Sequence, residues 1–197
     1  MKYELLFSNF ERHGVKLNDK ETGLLLPKLF YRKVKKKQLV SAAGEICNFN
    51  GFVLKGCLKA YSIDEYGAEH ITYFAIEDWW ISDIYSFISQ TPSQLNIEAL
   101  EDSELVYFTF KSREEALEEV PKLEKYFRIL FEKSLVANHQ RLLNTLSLSA
   151  AEKYSEFVKK HKKLSERVPQ VQIASYLGIT PEHLSKIRHE LLKKSYL

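Results

Sequence analysis

The sequence predicts an α+β chain made of an antiparallel β body, a long helix and a C-terminal helix-turn-helix. Three observations predict it. From about residue 29 to 110, short β-branched and aromatic runs are broken by turn residues. After Pro121 a helical pattern continues to about 147, with apolar residues on more than one stripe. At 169–191 two short helical segments flank a glycine turn.

Bulk properties bound the function classes. The 197 residues suffice for one large domain or two small ones, and 23 Phe and Tyr argue for a packed core. The apolar runs are too short to cross a membrane, and the N-terminus lacks a secretion signal. Two cysteines, Cys47 and Cys57, make no disulfide framework and read as reduced thiols. A cytoplasmic protein is expected. Net charge is only +3, but residues 148–197 carry ten Lys and Arg against five Glu. The preceding residues carry nineteen against twenty-one acidic ones. A basic block behind a mildly acidic body fits a nucleic-acid module, although a solvated lysine surface would look the same.

Residues 1–26 read as one or two short helices, with Asn18-Asp19-Lys20-Glu21 as a capped start. Strands are expected at 30–34, 52–54, 58–63, 70–74 and 105–110, with Asp64-Glu65-Tyr66-Gly67 as a hairpin turn. Many short strands without intervening helices mean an antiparallel sandwich or barrel. A short helix is expected at 113–119. The long helix places Leu123, Phe127, Leu130, Phe131, Leu135, Val136, Leu142, Leu143 and Leu146 on two faces, one for the β body and one for a second copy of the chain. The competing reading encloses it within its own monomer. A further amphipathic helix, 149–163, carries Lys159-Lys160-His161-Lys162-Lys163 at its C-terminal end, where cations suit the dipole. The expected domains are 1–120, 121–147 and 148–197.

The strongest signal lies at 168–188. Pro169 suits a first helical turn, and Ile173, Ala174 and Leu177 point inward. Gly178 permits the positive φ that ends the helix. Thr180-Pro181-Glu182 opens the second helix with a capping hydroxyl, a proline and an early carboxylate. Leu184 and Ile187 bury that helix, leaving Pro181, Glu182, His183, Ser185, Lys186 and Arg188 outward to meet a major groove.

On these residues the chain resembles the Crp/Fnr superfamily, the cyclic-AMP receptor and fumarate–nitrate regulators. Residues 52–61, with Lys55-Gly56 between two strands, are similar to the family's strand-KG-strand signature, and 64–67 to its hairpin. The resemblance implies an N-terminal cyclic-nucleotide-binding-like β-roll (a double-stranded β-helix), a dimerisation helix and a winged helix-turn-helix. It implies base reading by Glu182 and Lys186, and phosphate contacts by Gln170, Thr180 and His183. The family often has arginine where Pro181 stands, so a different operator is expected. The implied partners are double-stranded DNA with a near-palindromic operator, a second copy of the chain, a small-molecule effector of unspecified chemistry, and RNA polymerase.

The family's cyclic-nucleotide residues fall on Ser82-Asp83 and Ser93-Gln94, where no arginine faces the phosphate. A buried phosphate without a cation is costly, so no response to cyclic AMP is expected. Trp80, Asp83, Tyr85, Ser93, Gln94 and Asn138 are candidates for a different effector site. The plainer reading of the Trp and Tyr is core. No cofactor or metal is expected: two thiols are too few for an iron–sulfur cluster, and Glu69-His70 stands alone. No catalytic motif is present, which leaves a regulator rather than an enzyme. The rival is a sensor that does not bind DNA, or a cupin-like β-barrel enzyme, with a vestigial helix pair.

Overall fold

Turn residues and pattern breaks cut the β body into short strands, and helices precede and follow it in the chain. The computed structural model describes residues 3–195. Its elements are α1 (Glu4–Arg12), α2 (Asp19–Leu25), a 3-10 turn (Leu26–Lys28), β1 (Phe30–Val34), β2 (Leu39–Ser41), β3 (Asn50–Lys55), β4 (Cys57–Ile63), β5 (Glu69–Ile76) and β6 (Trp80–Ile81). There follow α3 (Ile84–Ser89), β7 (Asn96–Ala99), β8 (Ser103–Phe108), α4 (Phe110–Glu119), α5 (Lys122–Ser147), α6 (Ala150–Lys160), α7 (Lys162–Arg167), α8 (Gln170–Leu177) and α9 (Pro181–Ser195). The chain divides into two units. One runs to Ser62 and resumes over Thr72–Lys133; the other joins Ile63–Ile71 to the chain from Ser134 on.

In the first unit the strands form two four-stranded sheets, ordered β1-β8-β3-β6 and β2-β7-β4-β5. β8 pairs antiparallel with β1, from Phe30 opposite Tyr107 to Val34 opposite Ser103, and with β3 on its other side. Alternation decides the layers. Val53 and Leu105 face a core shared with Leu58, Ala60, Ala75, Ile97 and Phe87. Phe52, Val106 and Phe108 face a second core built with Leu6 and Phe10 of α1 and Leu123, Tyr126 and Phe127 of α5. Gly56, at φ +101°, is required twice over: by its left-handed backbone, and because a Cβ there would collide with Ser103.

Asn18 caps α2 in a reciprocal capping box with Glu21, as its sequence predicts. Elsewhere the boundaries differ from expectation. The strand expected over 105–110 ends at Phe108, because the Thr109 hydroxyl accepts the Ser112 N–H and caps α4, which therefore starts at Phe110 rather than 113. α3 and β7 interrupt what reads as a helix-free run of strands. Asp83 starts α3 by accepting the Ser86 N–H.

In the second unit, the helix expected over 149–163 is two. Ser149 caps α6, which stops at Lys160; His161 leaves helical geometry and α7 begins at Lys162. The lysine cluster thus straddles one helix end and the next helix start, so the dipole favours only Lys159 and Lys160. Among the described residues, Phe157, Leu164, Ile173, Ala174, Leu184 and Ile187 are buried apolar residues of this unit's helices, and Val168 is buried between α7 and α8 in the chain. α9 is the last element described, and the wing implied by the resemblance is not among the described residues.

Candidate nucleic-acid interface

α8 begins one residue later than expected, with Pro169 as the N-cap rather than inside the first turn. The Gln172 and Ile173 N–H groups both donate to the Pro169 carbonyl (2.9 and 3.1 Å). Gly178 ends α8 at φ +69°, its N–H donating to Ser175 O (3.1 Å) while the Ile179 N–H returns to Ala174 O (3.0 Å). These two bonds satisfy terminal carbonyls and reverse the chain. Nothing lies within 4 Å of the position a Cβ would take at Gly178, so its backbone conformation alone demands glycine. Thr180 then caps α9, its Oγ1 accepting the His183 N–H (3.2 Å).

Leu184 and Ile187 are buried on one side of α9, while Pro181, Glu182, His183, Ser185, Lys186 and Arg188 are exposed on the other. Glu182, Lys186 and His189 follow one another at helical spacing, so the exposed stripe extends beyond the residues singled out by sequence. Gln170 is half-buried, and its Oε1 is shut from solvent without a hydrogen-bond partner, as is that of Gln172. Two residues that sequence reasoning missed grip α8. The Arg141 guanidinium lies 4.3 Å over the Tyr176 ring and donates to the Tyr176 carbonyl (3.3 Å). The Ser175 hydroxyl bonds to the β4–β5 tip at Glu69 and Ile71. Both contacts span more than 30 residues of sequence, so no local pattern carries them.

Within the first unit the candidate effector residues fall into separate environments. Asp83 and Ser93 are buried together, the Ser93 hydroxyl donating to Asp83 Oδ2 (2.6 Å). Around them Ser86 takes the Cys47 N–H (2.9 Å), and the Tyr73 phenol donates to the Ser82 carbonyl. Burial pushes the Tyr73 phenol well above its ordinary pKa, with the nearby Asp83 charge adding to the shift. Trp80 instead packs with Phe52, Phe108 and Phe127, and its Nε1–H donates to Tyr126 Oη (2.8 Å). Tyr85 and Gln94 are exposed. Asn138 lies in the other unit, where it donates to Ser134 Oγ (3.4 Å). Trp80 thus packs, partly buried, against the core, and Tyr85 does not.

Known proteins share this arrangement. Residues 31–119 match the cyclic nucleotide-binding domain family. The anaerobic regulatory protein of Haemophilus influenzae is 25% identical, over 87% of this chain and 70% of its own length. FixK2 from Bradyrhizobium japonicum superposes with a TM-score of 0.74 at 17% identity, covering 85% of this chain and 86% of its own. A crp/fnr family transcriptional regulator from Eubacterium rectale gives 0.69 at 16% identity, covering 90% and 85%. Through its cyclic nucleotide-binding domain and these relatives the chain is similar to the Crp/Fnr superfamily. At such identities the superpositions carry the fold, a Crp/Fnr β-roll followed by helices. Among the described residues no helix is long and apolar enough to cross a membrane.

Proposed function

We propose that this Crp/Fnr-type regulator is a cytoplasmic transcription factor, not an enzyme, that binds a near-palindromic operator as a homodimer through α9. In this reading residues 1–120 form the sensor, 121–147 the dimerisation helix and 148–197 the DNA-binding domain. The observation that carries it is the open face of α9. Glu182, Ser185, Lys186 and Arg188 stand exposed while Leu184 and Ile187 anchor the opposite side on α8. A glycine turn, a capped second helix and a polar reading face are what major-groove docking requires. Exposed Leu135, Val136, Leu142 and Leu146 on α5 supply an apolar stripe for a second copy.

The same reading holds that the β-roll does not respond to cyclic AMP or cyclic GMP. Asp83 and Ser93 are already hydrogen-bonded to each other, and Gln94 is exposed. Neutral donors cannot balance a buried phosphate as an arginine does.

Selection of genomic fragments with the purified protein, followed by footprinting, tests the DNA reading. Lys186→Ala should cost about 1–3 kcal/mol of specific binding if it reads a guanine, and Glu182→Ala should relax preference at one base. Binding should weaken steeply with salt. If no fragment is held more tightly than random DNA, the reading fails. Calorimetric titration of the same protein should show no saturable cyclic-nucleotide binding below about 100 μM.

A further inference from the structure

β5 is the outermost strand of its sheet, so one of its edges lacks a ladder partner among the described strands. At Glu69 and Ile71 that need is met from an unexpected source. Residues two apart in a strand point their backbone groups to the same edge. There the Ser175 hydroxyl donates to the Glu69 carbonyl (2.6 Å) and accepts the Ile71 N–H (3.1 Å). One hydroxyl on α8 thus makes both bonds that a neighbouring strand would make. Ile71 is buried beside it, and residues Ile63–Ile71 cluster with the helices of the second unit.

We propose that Ser175 is the positioning residue of the helix-turn-helix: its hydroxyl clasps the β5 edge and so fixes α8, and with it α9, to the β4–β5 tip. The clasp leaves the reading face free. With it closed, Glu182, Ser185, Lys186 and Arg188 are all exposed, so it orients α9 rather than masking it. Arg141 holds the neighbouring Tyr176, and the Ser175 hydroxyl bonds α8 to the tip. The consequence for DNA rests on the DNA-binding reading above: an oriented α9 spends less conformational freedom on docking.

The test compares Ser175→Ala with Ser175→Thr, which keeps the hydroxyl. In the wild type the Ile71 amide should exchange slowly, and in Ser175→Ala its protection should fall about tenfold. Operator affinity should fall about fivefold with it, and Ser175→Thr should restore both. A residue that merely stabilised the fold would lower the unfolding midpoint and speed exchange throughout α8 and α9; the clasp predicts a change confined to the tip. Spin labels at Tyr66→Cys and Glu190→Cys give a readout independent of DNA, since both native cysteines are buried. Their distance distribution should be narrow, and should broaden in Ser175→Ala. Unchanged Ile71 exchange, an unchanged label distribution, or faster exchange with unaltered operator affinity overturns the proposal. If the wild type binds no operator, the DNA reading falls, and the label distribution and Ile71 exchange still decide the clasp.

Discussion

The two halves of α5 carry similar numbers of apolar residues and bury them differently. In the first half Leu123, Tyr126 and Phe127 are locked between α1 and the first sheet. In the second half Leu135 is 72% and Leu146 77% exposed, with Val136, Leu142 and Leu143 also open. A helix enclosed within its own monomer would hide both sets, so that reading of the sequence fails. The contrast shows which half stabilises the chain itself. It also shows that the second unit rests on a smaller core, supplemented by single polar contacts such as Arg141 on Tyr176.

The strongest way to break this contrast is to charge the open half. If Leu142 lies in a symmetric interface, Leu142→Glu places two carboxylates against each other in an apolar seam. Association should weaken by about a thousandfold or more, on the scale where 1.4 kcal/mol is tenfold. Light scattering should then read monomer where the wild type reads dimer, while the unfolding midpoint of the first unit stays put. A wild type that is already monomeric at micromolar concentration would remove the interface altogether.

The closed half predicts the opposite pattern. Tyr126 Oη accepts from Trp80 Nε1 and donates to the buried Asn9 Oδ1 (2.6 Å), and burial pushes its phenol well above the ordinary pKa. Tyr126→Phe keeps the ring and orphans Asn9 Oδ1 and the Trp80 N–H. Denaturant unfolding should lose about 1–3 kcal/mol, with the oligomeric state unchanged. A loss of dimer without a loss of stability would mean that the halves have been assigned the wrong way round.

What was legible in the sequence follows the same division between local and distant causes. Asn18, Gly178 and Thr180 act on their immediate neighbours, and the sequence gives them away. β-branched and aromatic runs mark Phe30–Val34, and the turn residues Asp64-Glu65-Tyr66-Gly67 mark the hairpin of β4 and β5. Thr109 was lost to β-propensity, because a strand-like Phe-Thr-Phe run hides a cap whose partner, Ser112, looks unremarkable. α3 is six residues long, too short for a helical period to show, and its cap Asp83 closely follows a strand-like Trp-Trp-Ile run. The site divides likewise. α9's open face follows from helical spacing, whereas Ser175 and Arg141 act across 35 or more residues. Trp80 lies close in sequence to the family's nucleotide residues, but its indole bonds to Tyr126, 46 residues away, and packs against the core.

The smallest effect sharpens the idea that the second unit depends on individual polar contacts. Asp64 organises the tip: its carboxylate accepts the Tyr66 and Ala68 N–H groups (both 2.9 Å) and meets His70 Nε2 (2.7 Å). The bond to His70 is the largest cause, with the Ala68 N–H next, of an Asp64 pKa below the usual carboxylate value. A carboxylate whose folded pKa is depressed contributes order above its unfolded pKa and loses it as pH falls through the folded value. The amide proton shifts of Tyr66 and Ala68 should therefore show their carboxylate transition below about pH 4, near the ordinary Asp pKa. Asp64→Ala should give the acid-type shifts at every pH. Because the Ser175 hydroxyl does not titrate in this range, the Ile71 amide should keep its own shift while the two tip amides move. A joint transition of all three would show that the tip unfolds as a block rather than through one carboxylate.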